Sequence, residues 1–253
     1  MKIIVCGSSG RMGKVVCRLA AENPELEVVA GIDITGEGMD FPVFDDIRVC
    51  DVKADVIISF LPPTADAETL ATMDYCIRHN TPLVICTTGM PPHTEGELEK
   101  AAEQVPILRS ANMSLGINLL STLLKRAAQL LYDADFDIEI FEKHHNKKID
   151  SPSGTALLLA DSIRNALHDK VEYVTDRSTN HEKRAHNEIG LHALRGGTIV
   201  GEHSVFFAGR DEVIEFTHIA QSRDVFGVGA LRAAKFLQGK NPKMYSMQDL
   251  IDF

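Results

Sequence analysis

The chain has 253 residues, 44% of them hydrophobic and 25% charged, and a formal charge of −10 at pH 7. That length gives one large domain or two smaller ones with a well-buried core. The acidic balance speaks against nucleic acid or an anionic membrane as partner, so an anionic substrate would need positive charge gathered locally.

Short apolar runs alternate with amphipathic stretches through the first half. Lys2–Cys6, Glu27–Asp33, Ala54–Phe60, Pro82–Cys86 and Pro106–Ser110 read as strands, and the first, third and fourth are apolar enough to be buried on both faces. Helices are predicted at about Met12–Asn23, Ala65–His79 and Thr94–Gln104, an alternation that implies a parallel sheet covered by helices. The pattern changes after Asn112. A helix over about Ile117–Tyr132 leads to Phe136–Lys143, where Phe136, Ile138, Ile140 and Glu142 share a face by period two. A second helix, Ala156–Leu167, precedes strand-like runs at Ile189–Leu194, Thr198–Phe207 and Glu212–Ala220, with Gly196-Gly197 and Gly209-Arg210-Asp211 as expected hairpin turns. This half predicts an antiparallel or mixed sheet with helices on one face. A last helix covers about Gly227–Leu237.

Residues 1–6 already read as a strand, which leaves no room for a signal peptide, and no apolar run approaches the roughly 18 residues of a membrane helix. Cys6, Cys17, Cys50, Cys76 and Cys86 are odd in number and lack zinc-site spacing. They fit reduced thiols, and the expected location is the cytoplasm.

Gly7-Ser8-Ser9-Gly10-Arg11-Met12-Gly13 follows the first strand and opens the first helix. Small residues let the backbone turn sharply and approach a pyrophosphate, which the helix N-terminus then meets with unpaired N–H groups. A glycine triplet alone is a weak signal. Here Asp33 ends the second strand roughly 20 residues later, where a carboxylate can accept from the adenosine ribose. The order of strand, glycine loop, helix, strand and acid therefore predicts a Rossmann-like dinucleotide domain. Asp33 should repel a 2′-phosphate, and Ile34-Thr35-Gly36 offer no compensating cation, Arg11 being the nearest basic residue. NADH is favoured over NADPH on this reading. Cys86-Thr87-Thr88-Gly89 and Ser110-Ala111-Asn112-Met113 follow the fourth and fifth strands, at the edge where open parallel sheets bind ligands. Thr87 and Thr88 read equally well as loop caps.

The segment Glu142–Ala156 packs His144, His145 and three lysines into a short stretch that enters a helix. Ser153 is a natural N-cap that leaves the Gly154 and Thr155 amides without intrahelical partners. Such a terminus flanked by cations binds carboxylate. No metal is expected, because adjacent histidines diverge, no H-E-x-x-H or cysteine pair completes a ligand set, and the lysines repel a cation. No G-x-S-x-G elbow surrounds Ser153. A Schiff-base lysine is chemically possible, but beside a dinucleotide domain proton donation during hydride transfer is the more economical role.

With these motifs, and with Thr87-Thr88-Gly89, Ser110–Ser114, Arg195–His203 and Ser222–Phe226, the chain resembles the 4-hydroxy-tetrahydrodipicolinate reductase family over essentially its whole length. The resemblance implies NADH- or NADPH-dependent reduction of a cyclic dicarboxylate in lysine and diaminopimelate biosynthesis, with hydride added at substrate C4. It further implies a homotetramer assembled through the second domain. His144 would assist proton transfer and Lys148 would donate the proton, while His145, Gly154 and Thr155 would bind substrate carboxylates. Gly7, Ser8, Ser9, Gly10, Arg11, Met12, Asp33, Cys86, Thr87, Thr88, Ser110, Ala111, Asn112 and Met113 would hold the dinucleotide. Ser151 stands where alanine is usual and Cys86 where glycine is usual. The resulting expectation is an α/β protein. Residues 1–112 and 225–253 form its Rossmann-like parallel-sheet dinucleotide domain, and 113–224 a smaller α+β mixed-sheet domain for substrate binding and oligomerisation. Two rivals are a dehydrogenase acting on an amino acid or aldehyde and a redox-sensing NAD-binding module. Neither explains the His144–Thr155 segment.

Overall fold

In the computed structural model, residues 1–36, 38–168, 170–178 and 181–251 are described. The elements in chain order are β1 (Lys2–Cys6), α1 (Arg11–Ala21), β2 (Glu27–Ile32), β3 (Val43–Phe44), β4 (Val56–Ser59), α2 (Asp66–His79), β5 (Leu83–Ile85), α3 (Pro92–Ala102), β6 (Pro106–Arg109), α4 (Leu115–Asp133), β7 (Asp137–His144), α5 (Gly154–Ala166), β8 (Glu172–Val174), β9 (Glu188–Arg195), β10 (Gly201–Ala208), β11 (Val213–Ala220), α6 (Asp224–Leu237) and β12 (Lys243–Tyr245). Two compact units result. Unit 1 is Met1–Leu115 with the chain from Arg223 onward, and unit 2 is Gly116–Ser222.

Unit 1 holds a seven-stranded sheet in the order β12-β6-β5-β4-β1-β2-β3, every neighbouring pair parallel. The cause is visible in the strands: Ile3, Ile4, Val5, Val56, Ile57, Ile58, Leu83, Val84 and Ile85 are all completely buried. Side chains alternate in direction, so such strands need apolar cover on both faces. Met73, Cys76, Leu98 and Ala101 cover Ile4, Ile57, Leu83 and Ile85. Val16, Ala230, Ala234 and Leu237 cover Ile3, Val5, Ile58 and Val84. Each large aliphatic side chain so buried contributes about 1.5–3 kcal/mol. The last helix, α6, thus belongs with the first half of the chain. Strands β3 and β12, at two and three residues, are too short for a periodic signal and exist only by pairing at the sheet edges. All five cysteines are free thiols.

Unit 2 is a five-stranded sheet ordered β11-β10-β7-β9-β8. Strand β7 runs antiparallel to β10 and parallel to β9, so the sheet is mixed. Leu120 and Leu124 of α4 and Leu159 and Ile163 of α5 pack on Ile138, Ile140, Leu191 and Phe207. Along β7 the buried positions are Ile138, Ile140, Glu142 and His144, so the face that begins as hydrocarbon ends in two titratable groups. Gly209–Asp211 does close the β10–β11 hairpin, with Gly209 N donating to Glu212 O at 2.9 Å. Gly196-Gly197 is not a hairpin turn, because β7 lies between β9 and β10. Its glycines brace another loop instead: Gly196 N donates to His144 O at 2.9 Å, and Gly197 O accepts from Asn146 N at 3.2 Å. No described helix is long and apolar enough to cross a membrane.

Candidate active site

From β1 the chain adds strands toward β3, and from β4 it adds them in the opposite direction toward β12. The β1/β4 boundary is therefore the switch point at which open parallel sheets bind ligands. The glycine loop leaves β1 there. Gly7 has φ +75°, donates its N–H to Ile32 O at 2.8 Å and accepts from Gly10 N at 3.1 Å. A Cβ at Gly13 would stand 2.1 Å from Gly7 O and 2.7 Å from Ser8 Cα, so only hydrogen fits. Gly10 caps α1 without a side-chain bond, and the helix begins at Arg11. The Asp33 carboxylate accepts from Ser9 N and Ile34 N, each at 2.8 Å, while the Ser9 hydroxyl donates to Thr35 O. The loop and the exit of β2 are thus tied together. Ser8 is buried, which leaves its backbone as the part that can face a ligand.

A cavity of about 280 Å³ lies along this edge, lined by Gly10, Arg11, Met12, Leu61, Cys86 and Thr88 among others. A second, of about 230 Å³, is lined by Thr88, Gly89, Arg109, Ser110 and Ala111. Phe60 and Leu61 were missed in the sequence because they carry no polar signal, although the loop after a strand beside β1 must arrive at this edge. The Thr87 hydroxyl donates to Leu61 O at 2.7 Å, the loop-bracing role weighed for it. Burial pushes the Cys86 thiol far above its usual range, which removes it as a nucleophile. Asn112 Oδ1 accepts from Ser114 N at 2.9 Å, and the Ser110 hydroxyl donates to Asn112 O at 2.7 Å. The Met113 side chain packs into the core beside α6. A larger cavity of about 540 Å³ lies beside α1 and Phe41 and includes none of the glycine loop.

In unit 2, β7 delivers Glu142 and His144, and the loop that follows carries His145 and Lys148. Glu142 is completely buried. It accepts from Arg195 Nη1 and Nη2, both at 2.7 Å, from Ser153 N at 3.0 Å and from His144 Nδ1 at 2.6 Å. Burial alone would raise its pKa, but Arg195, His144 and the Ser153 amide outweigh that and hold the carboxyl below its usual range. Burial pushes His144 down, against the opposing pull of Glu142, and His203 down to about 3. Both shifts favour the neutral imidazole. Ser153 caps α5, accepting from Ala156 N at 3.2 Å, and its hydroxyl meets His203 Nε2 at 3.1 Å. His145 Nδ1 is buried with no hydrogen-bond partner among the described residues.

Lys148 Nζ lies 2.9 Å from Asp150, and the Gly154 amide at the start of α5 adds a weaker pull on the same carboxylate. The helix terminus expected to stand open at Gly154 thus has the chain's own carboxylate beside it. Lys148, first among its partners, holds Asp150 below the usual carboxylate range. Arg195 and His203 complete this cluster, and in the sequence they stand out only within the Arg195–His203 motif. Glu142 and Arg195 are too far apart in the chain for local pattern to join them. Among the described residues no group of three or more His, Cys, Asp or Glu is placed to hold a metal ion.

Two family models cover the chain, "Dihydrodipicolinate reductase, N-terminus" over residues 1–113 and "Dihydrodipicolinate reductase, C-terminus" over 116–251. A 4-hydroxy-tetrahydrodipicolinate reductase of Caldanaerobacter subterraneus is 52% identical over 99% of this chain and 98% of that protein. One from Clostridium tetani is 46% identical over 100% and 97%. Among solved structures, a dipicolinate-bound dihydrodipicolinate reductase from Paenisporosarcina matches with TM-score 0.80 and 20% identity over 100% of this chain and 99% of that one. An aspartate dehydrogenase from Thermotoga maritima matches with TM-score 0.52 and 13% identity over 95% and 98%. Both structures share the fold.

Proposed function

The chain belongs to the dihydrodipicolinate reductase family, and from that premise we propose that it reduces 4-hydroxy-tetrahydrodipicolinate to tetrahydrodipicolinate in lysine and diaminopimelate biosynthesis. The observation that carries the reading is the Asp150 carboxylate paired with Lys148 at 2.9 Å beside the N-terminus of α5. A cation and a helix terminus beside one carboxylate suit a dicarboxylate substrate. His145, Gly154 and Thr155 are assigned to the substrate carboxylates.

The backbone around Gly7–Gly13, where a Cβ would collide, fits a pyrophosphate, and the Pro-, Thr- and Ser-bearing loops along the same edge fit the rest of a pyridine dinucleotide. Gly7, Ser8, Ser9, Gly10, Arg11, Met12, Asp33, Cys86, Thr87, Thr88, Ser110, Ala111, Asn112 and Met113 are assigned to it, Ser8 and Met113 through their backbones. Loss of the 4-hydroxyl as water would leave a conjugated imine, and the dinucleotide, when bound, would supply the hydride that adds at C4 of that imine. Lys148 then gives a proton to the electron-rich ring, and His144 assists that transfer. Residues 1–112 and 225–253 are read as the dinucleotide domain and 113–224 as the substrate domain.

NADH is the favoured donor because Asp33 repels a 2′-phosphate where the sequence offers no following cation. Oxidation is followed at 340 nm with substrate made in situ from pyruvate and aspartate semialdehyde by a synthase. We expect synthase-dependent oxidation with NADH ahead of NADPH by on the order of tenfold in kcat/KM, the worth of roughly 1.4 kcal/mol. No oxidation by folded protein that binds NADH would reject the reaction, and a preference for NADPH would reject the Asp33 argument. Inhibition by pyridine-2,6-dicarboxylate separates this reading from an amino-acid dehydrogenase.

The sheet face of unit 2 turned away from α4 and α5 is assigned to assembly as a homotetramer. Val213 and Ile219 are 61% and 56% exposed, and registered pairing puts Phe141, Leu194 and Phe206 on the same side. Glu139, Lys143, Glu202 and Glu215 share that face, and exposed apolar residues set among charges suit a protein interface. Light scattering is expected to give about four times the 27.8 kDa chain mass; a monomeric mass would reject the assignment.

A further inference from the structure

Glu142 stands at the centre of the unit 2 cluster with no solvent exposure, and its four bonds fix who donates to whom. An arginine guanidinium and a backbone amide can only donate. Oε1 receives Arg195 Nη2 and Ser153 N, and Oε2 receives Arg195 Nη1 and His144 Nδ1. A carboxylate ringed by such donors is ionised and can only accept, so Nδ1 of His144 carries a proton. From these contacts we propose that Glu142 is a positioning residue. It locks His144 with the proton on Nδ1 and leaves Nε2 as an acceptor, so that His144 receives hydrogen bonds or protons while Lys148 alone donates.

The surroundings agree with that assignment. Burial, with Lys148 and Arg195, disfavours the doubly protonated imidazole, and only Glu142 pulls the other way. His203 of β10, ring to ring at 5.1 Å and edge-on, is itself pushed toward the neutral form by burial. Nε2 looks toward Gly201, where an added Cβ would come within 3.0 Å of it. The same carboxylate also bonds the N-cap of α5, and Arg195 Nη2 reaches Asp150 O at 2.7 Å. One buried anion thus sets the imidazole, the helix terminus and the end of the lysine loop together.

Glu142→Gln tests the idea because the amide has one donor end. The Oε1 side keeps two obligate donors against one, Arg195 Nη1, on the Oε2 side, so the carbonyl is favoured at Oε1 and the new NH₂ faces His144 at the loss of the Arg195 Nη1 bond. Histidine is the one partner able to exchange roles. Nitrogen-15 NMR of the ligand-free full chain is expected to find Nδ1–H in the native protein, with protonation setting in at lower pH than for a free imidazole. In the variant the proton is expected on Nε2, with kcat lowered about 100-fold or more, as for a catalytic imidazole held in the wrong tautomer, and KM changed less than about threefold. An Nε2–H imidazole in the native protein, a folded variant without the switch, or a switch with undiminished kcat would each overturn the inference. If the variant does not fold, the native spectrum alone decides the tautomer. The catalytic part rests on the reductase reading, but the NMR result does not. A failed reaction with an intact Nδ1–H signal would therefore count against that reading only.

Discussion

Lys148→Ala is expected to lower turnover by roughly 100-fold or more, the ordinary worth of a positioned general acid. The loop that carries the lysine is held by its backbone. Lys148 N donates to His145 O at 3.1 Å, Asn146 N to Gly197 O, and Gly196 N to His144 O. None of these bonds involves the lysine side chain, so its removal leaves the loop in place. The salt bridge lost with it joins a side chain 21% exposed to a carboxylate 57% exposed. Such a pair contributes only about 0–1 kcal/mol of stability, and thermal melting of the variant should nearly coincide with that of the native chain. Lys148→Arg keeps the charge and should restore substrate affinity but not turnover, because a guanidinium does not give up its proton. An alanine variant that turns over at a near-normal rate would remove Lys148 as the proton donor. A variant in which only KM rises would leave it a carboxylate-binding role alone.

How much of this was legible in the sequence depends on how far apart the cooperating residues lie. The glycine loop and Asp33 could be read because backbone sterics and a 20-residue βαβ spacing impose them locally. The alternation along Phe136–Lys143 placed Glu142 on the buried face, but not what neutralises it. Arg195 is adjacent only because β9 pairs with β7 in parallel register, His144 opposite Arg195. Gly196-Gly197 illustrates the same limit. A glycine pair between two strand-like runs carries hairpin chemistry whether or not those runs pair, and β7 separates them through contacts remote in sequence. The short strands β3, β8 and β12 lack any pattern of their own. The placing of Asp150 beside Gly154 was hidden for another reason: a helix terminus advertises spare donors, and sequence does not say which carboxylate comes near them.

The second large effect is expected at Gly13. Gly13→Ala puts a methyl carbon 2.1 Å from Gly7 O and 2.7 Å from both Ser8 Cα and Ser8 O. All three are backbone atoms of the loop itself, so no rotamer change relieves the clash. Either α1 moves away from the loop or the loop opens. Opening would break the Gly10 N to Gly7 O bond and misdirect the first amides of α1, which have no side-chain cap. Overpacking of this kind costs about 1–3 kcal/mol, which at this chain length corresponds to a Tm lowered by roughly 2–12 °C. The affinity for NADH should fall further than stability does, by at least about 30-fold, because the amides that meet the pyrophosphate are those displaced. Gly96→Ala is the matched control: it lies inside α3, an added Cβ there meets nothing within 4 Å, and alanine should raise stability by about 0.5–1 kcal/mol. Fluorescence titration with NADH, run beside thermal melts of both variants, separates the two effects. If Gly13→Ala binds NADH as tightly as the native chain, the dinucleotide is not held at this loop, and the cavity beyond β1 and β4 belongs to some other ligand.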